Sequence, residues 1–183
     1  MQITDLKTLD YPPLTDDLEE AKSHLDKYGM ALIKDVLSQE EVEEMDQRLN
    51  EQFLGEEKYQ VGSKIRGDEG FGIESSEEEK VSRLVWNLIN KGDCFLKLID
   101  HPKILPLIQH MIGERVCLCS MGAHMNGSGN ERMALHQDQW PLVPHPMKFP
   151  FMANVMYLIS DNSPENGGTR LIPGSHNWPL IDY

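Results

Sequence analysis

The sequence holds no long apolar run. Nowhere do about 18 apolar residues stand together, the length a membrane-crossing helix needs. Its opening, MQITDLKTLDYPP, lacks the basic-then-apolar arrangement of a secretory signal. Basic side chains are scarce: 17 against 30 acidic ones, a net charge of −13. Such a chain repels a phosphate backbone, and no basic cluster overcomes that, so neither nucleic acid nor a membrane is expected as a partner. Cysteines are few and odd in number. Cys117 and Cys119 form a C-x-C rather than a C-x-x-C, which fits neither a disulfide framework nor a zinc site. Reduced, buried thiols in a cytoplasmic protein are the expectation.

What is present suits one globular domain. In 183 residues, 39% are apolar and 26% charged, enough to build a core and ordinary for the class. The first half reads as helices. Asp16 with Glu19 predicts a capped start, and Leu18, Ala21, Leu25 and Tyr28 then recur at helical spacing up to Gly29. Residues 30–33 read as a short strand. Ser38 with Glu41 forms a second capping box, followed by Val42, Met45, Leu49 and Phe53, with Gly55 as the expected end. Residues 55–76 read as a long loop. Helical patterns return over 81–89 and again over 102–113.

After Gly113 the pattern changes to strands. Residues 115–121 alternate, with Val116, Leu118 and Ser120 on one face and Cys117, Cys119 and Met121 on the other. Residues 133–140, 151–159 and 169–172 are further strand candidates, the last after the turn signal Glu165-Asn166-Gly167-Gly168. Helices first and antiparallel strands afterwards predict an α+β or mainly β arrangement, with helices on one face of a sheet.

Two H-x-D triplets occur, His24-Leu25-Asp26 and His136-Gln137-Asp138. With seven histidines and 30 acidic residues in 183, roughly one H-x-[DE] arises by chance, so the triplet alone is weak. Geometry separates the two. His24 and Asp26 lie in a helical pattern, where residues two apart point to different faces and cannot chelate one ion. His136 and Asp138 lie in a strand-like run, where residues two apart share a face at about 7 Å. An imidazole and a carboxylate so placed can take adjacent corners of an octahedral iron site, the beginning of a 2-His-1-carboxylate triad.

The surroundings of the second triplet add specificity. LHQDQW (135–140) is followed by MANVMYLISD (152–161) and ENGGTRLIPGSHNW (165–178). This order and spacing of H-x-D and N-G-x-x-x-x-x-P-G-S-H resembles the phytanoyl-CoA dioxygenase family. LDKYGMALIKDVLSQEEVEEM (25–45) is similar to that family's opening helix, strand and helix. The resemblance implies a double-stranded β-helix (a jelly roll, cupin-like) in one domain over 1–183. In it, residues 1–113 would be a mostly helical buttress and 114–183 jelly-roll strands. It also implies an Fe(II)- and 2-oxoglutarate-dependent dioxygenase that oxidises a small molecule with dioxygen, releasing succinate and carbon dioxide. His136 and Asp138 would be two iron ligands. Halogenating relatives carry a small residue in place of the aspartate, so Asp138 implies oxygenation. The family's distal histidine and the arginine that clamps 2-oxoglutarate follow the P-G-S-H segment and have no counterpart before Tyr183. A C-terminally truncated domain lacking its closing strands is therefore the expectation.

By the same resemblance, Thr169 and Met133 would face 2-oxoglutarate, and Asn154, a polar residue amid apolar neighbours, would contact cosubstrate or substrate. Trp140 would line the substrate mouth together with residues 141–150. Gly167, Gly168 and Gly174 read as turn formers, and His176 as a structural histidine bonded to backbone. The alternative function is a jelly-roll binding or scaffold protein without catalysis. A coenzyme A thioester is not favoured as substrate, since no basic surface for its phosphates is evident.

Overall fold

A computed structural model describes residues 9–65, 82–126, 135–139 and 149–178. The first element, β1 (Leu14–Thr15), pairs in parallel with β2 (Leu32–Ile33), Leu14 opposite Leu32. Between them runs α1 (Leu18–Tyr28). Its N-cap is Asp17, whose carboxylate accepts from the Glu20 N–H at 2.8 Å. The cap thus sits one residue beyond the expected Asp16. Thr15 Oγ1 accepts the Asp17 N–H at 3.1 Å, fixing that start, while Asp16 is turned to Lys34. Gly29 ends the helix at φ 70° and donates to the Leu25 carbonyl.

The capping box at Ser38 forms as expected. Ser38 Oγ accepts from the Glu41 N–H, and Glu41 accepts from the Ser38 N–H. The helix it starts, α2 (Gln39–Lys58), passes through Gly55 instead of ending there. Glycine inside a helix costs only about 1 kcal/mol, and a polar chain clamps the last turns. Arg48 donates to the Lys91 carbonyl and to Gln52, Gln52 donates to Glu56, and Lys91 Nζ lies 3.3 Å from Glu56.

Residues 82–86 correct the helical expectation. They form β4 (Ser82–Trp86), the middle strand of an antiparallel sheet between β3 (Ser63–Ile65) and β5 (Gly122–Met125). Leu84 and Val85 are both buried. A strand covered on both faces carries adjacent apolar residues, and that pairing imitated a helical stripe. Asn87, in the left-handed region at φ 55°, turns the chain into a 3₁₀ turn, Leu88–Asn90. Two helices follow, α3 (Asp93–Leu96) and α4 (Leu105–Ile112), the latter ending at Gly113 as expected.

The core lies between α2 and the sheet. Met45 and Phe53 from α2 meet Val85, Leu88, Cys94, Phe95 and Leu98. Residues 115–121 do not form the expected strand; pairing begins at Gly122. Cys94 is buried as expected, but Cys117 and Cys119 are exposed, a correction. Residues 151–159 join no β-ladder among the described residues, although burial alternates from 156 onward. Tyr157 and Ile159 pack on the core while Leu158 is exposed. The Tyr157 hydroxyl donates to the Leu98 carbonyl at 2.9 Å, tying this segment to the helical half. Residues 169–172 form no strand either. The described residues thus combine helices with one two-stranded and one three-stranded sheet, not a double-stranded β-helix. Apolar alternation sets which face a strand buries, but a ladder also needs a hydrogen-bonding partner.

Candidate metal centre

His136 and Asp138 lie close together, but not on the expected strand: the described part of 133–140, residues 135–139, forms no strand and turns at 138–139. His136 Nε2 lies 3.4 Å from Asp138 Oδ1, and both side chains are exposed to solvent, by 38% and 50%. With metal–donor bonds of about 2.1 Å, two adjacent octahedral donors stand about 3.0 Å apart. The pair fits two adjacent corners of an iron site within a small rotamer adjustment, and imidazole with carboxylate is the donor set such iron takes. Among the described residues, no group of three His, Cys, Asp or Glu side chains converges.

The second oxygen of the aspartate is engaged. Asn154 Nδ2 donates to Asp138 Oδ2 at 2.5 Å. This leaves Oδ1 as the oxygen facing the imidazole. Asn154, expected to contact cosubstrate or substrate, addresses the aspartate with its amide. Next to Asp138, Gln139 turns its side-chain oxygen to two consecutive backbone donors, the N–H of Phe151 at 2.5 Å and of Met152 at 2.9 Å. Sequence reading passed over Gln139. The available signal was an amide directly after the aspartate, and a backbone leaving Pro150 whose N–H groups need acceptors.

Thr169 is not drawn in by any hydrogen bond seen among the described residues. Its N–H donates to Asn162 Oδ1 at 3.3 Å within the turn over 162–168, and its side chain is exposed. Asn126, just past β5, donates to the Gly167 carbonyl and anchors that turn to the sheet. Gly167 and Gly174 both have φ 78°, the turn-forming role expected of them. Met133 and Trp140 lie outside the described residues.

The first triplet is divergent. His24 is buried, edge-on to Tyr28 with Nε2 3.8 Å from Glu20, whereas Asp26 is exposed and meets His110 Nε2 at 2.8 Å. His176 lies against backbone, its Nε2 3.3 Å from the Asp26 carbonyl oxygen, as a structural histidine should.

An imidazole and a carboxylate on one short segment are two of the three donor types of a 2-His-1-carboxylate iron site, and comparison with known proteins adds to this. The chain is 28% identical over 165 residues to dioxygenase af480 of Aspergillus fumigatus, covering 90% of this chain and 51% of that protein. It is 24% identical over 173 residues to dioxygenase sphC of the same species, covering 89% and 46%. It is 27% identical over 172 residues to a probable alpha-ketoglutarate-dependent hypophosphite dioxygenase of Stutzerimonas stutzeri, covering 90% and 55%. The chain spans about half the length of these curated relatives. The family model described as phytanoyl-CoA dioxygenase (PhyH) matches residues 25–182, and the chain belongs to that family. No solved structure matches it. Among the described residues, no helix is long and apolar enough to cross a membrane.

Proposed function

We propose that the chain forms part of a non-haem Fe(II)- and 2-oxoglutarate-dependent dioxygenase that hydroxylates a small organic molecule in the cytoplasm. The observation that carries this reading is the approach of His136 Nε2 to Asp138 Oδ1, two ligand types at adjacent-corner distance. Family membership and relatives named as dioxygenases support it.

Iron(II) bound there, with 2-oxoglutarate, supplies the power to activate dioxygen and oxidise a carbon–hydrogen bond, with succinate and carbon dioxide as co-products. The chain's own residues bind and orient. His136 gives a neutral nitrogen donor, and Asp138 gives one oxygen while Asn154 occupies the other. A retained carboxylate at Asp138 fills the position that a halide would need, which favours hydroxylation. Thr169, Asn154 and Met133 are assigned to the 2-oxoglutarate side and Trp140 to the substrate side. Residues 1–183 are read as one domain.

The test is an anaerobic titration with Fe(II) and 2-oxoglutarate, following the visible charge-transfer band of the chelate. The band forms in the wild-type chain and is lost in His136→Ala. A band absent here but present in a longer chain that carries a further histidine and arginine supports the truncated-domain reading; no band in either overturns the oxygenase reading in favour of the binding or scaffold one.

A further inference from the structure

We infer that Gln139 is a positioning residue for the iron-binding carboxylate, acting through Asn154. The inference rests on the reading of Asp138 as an iron ligand. It starts from a closed ring of short connections. Asp138 and Gln139 are neighbours in the chain. Gln139 Oε1 accepts from the Phe151 and Met152 N–H groups, and Asn154, two residues on, donates to Asp138 Oδ2.

The chemistry of each link fixes its geometry. An amide oxygen has two lone pairs, and both are used here by consecutive backbone donors at 2.5 and 2.9 Å. That double acceptance sets the position of residues 151–152 along the segment as well as their distance from it. In extended chain, a slip of one residue turns every side chain to the opposite face. Such a slip would swing Asn154 away from Asp138 and place Ala153 or Val155 there, neither of which can donate from its side chain. Gln139 therefore selects the register in which Asn154 meets the carboxylate.

The consequence lies in how the aspartate binds. With Oδ2 held by Asn154, Oδ1 is the oxygen turned to His136 Nε2. The carboxylate is prepared to give one oxygen, not two, and the neighbouring coordination positions stay open. Partners of ligating carboxylates set ligand orientation, and losing them costs about 10–100-fold in metal affinity. Gln139 touches neither metal nor substrate in this scheme.

The experiment compares wild type, Gln139→Leu and Gln139→Glu, the last keeping an acceptor oxygen at the same reach. The first readout needs no metal: the side-chain amide signal of Asn154 in the nitrogen–proton correlation spectrum, assigned by its loss in Asn154→Asp. The signal is shifted from the free-amide position in wild type and in Gln139→Glu, and it moves to the free-amide position in Gln139→Leu. The second readout is Co(II) affinity, read from the cobalt absorption bands. It falls about tenfold in Gln139→Leu and stays within about twofold in Gln139→Glu. Should Gln139→Leu not fold, Gln139→Asn withdraws the amide by one methylene and is read the same way. An unmoved Asn154 signal in a folded Gln139→Leu or Gln139→Asn variant overturns the inference alone. A wild-type chain that binds no Co(II) overturns the iron reading and this inference's metal role with it.

Discussion

The imidazole of His176 lies directly over the α-carbon of Gly29. A β-carbon on Gly29 would stand 2.4 Å from the ring's Nδ1 and 2.6 Å from its Cγ. The same loop donates the Gly174 N–H to the Tyr28 carbonyl at 2.7 Å. The last turn of α1, whose carbonyls have no partners within the helix, is thus closed by the P-G-S-H segment.

Gly29→Ala therefore meets two penalties. The left-handed φ of 70° costs a non-glycine residue about 1–2 kcal/mol, and the histidine ring must also move. Urea unfolding should show a loss of stability in Gly29→Ala that shrinks in the His176→Ala background. An equal loss in both backgrounds would show that the ring exerts no pressure on position 29.

Burial pushes the Tyr157 phenol up to about 12. Its folded-state value thus lies above that of the unfolded chain, near 10. The unfolded state then releases this proton first as pH rises, so the contribution is complete below pH 10 and lost through about 12. Alkaline titration of phenolate absorbance should show one tyrosine ionising late, and Tyr157→Phe should remove it. The same variant loses the bond to the Leu98 carbonyl, at about 1 kcal/mol.

The two H-x-D triplets should part in metal binding. Asn154→Leu strips Asp138 of its donor and should weaken Co(II) binding about 10–100-fold. His24→Leu should leave the titration unchanged. Because His24 Nδ1 is buried without a hydrogen-bond partner among the described residues, that variant should keep or slightly raise the melting temperature. A loss of metal binding in folded His24→Leu would reinstate the first triplet.

Ser38→Ala opens the capping box at the head of α2. The expected cost is about 1 kcal/mol, measured as a shift of the urea midpoint with an unchanged slope. No shift would mean that the N-terminal turn frays without consequence for the core.

Local signals were legible where one residue's chemistry decides the structure. The serine cap, the left-handed Gly29, the glycine turns and the divergence of His24 from Asp26 all depend on neighbours a few residues away. Signals that depend on distant segments were not. Leu84 and Val85 read as helical because a strand covered from both sides leaves no alternation. Gly55 did not end α2 because Lys91, far along the chain, holds the last turns through Glu56 and Arg48. At the candidate centre, the nearness of His136 to Asp138 was expected of a strand, yet residues 135–139 form none and the two side chains meet beside a turn. Asn154 was noted as a polar residue needing a partner, but that partner, Asp138, was 16 positions back. Gln139 carried no periodic signal at all.

The contact between His176 and the Asp26 carbonyl spans 150 residues of sequence. A ribosome adding about 5–20 residues per second needs about 8–30 s to travel that far. Throughout that interval the first helix has emerged while its final turn waits for the segment that covers it. The end of this helix is therefore made well before the segment that seals it, and a protease or chaperone sampling the nascent chain would find its opening there.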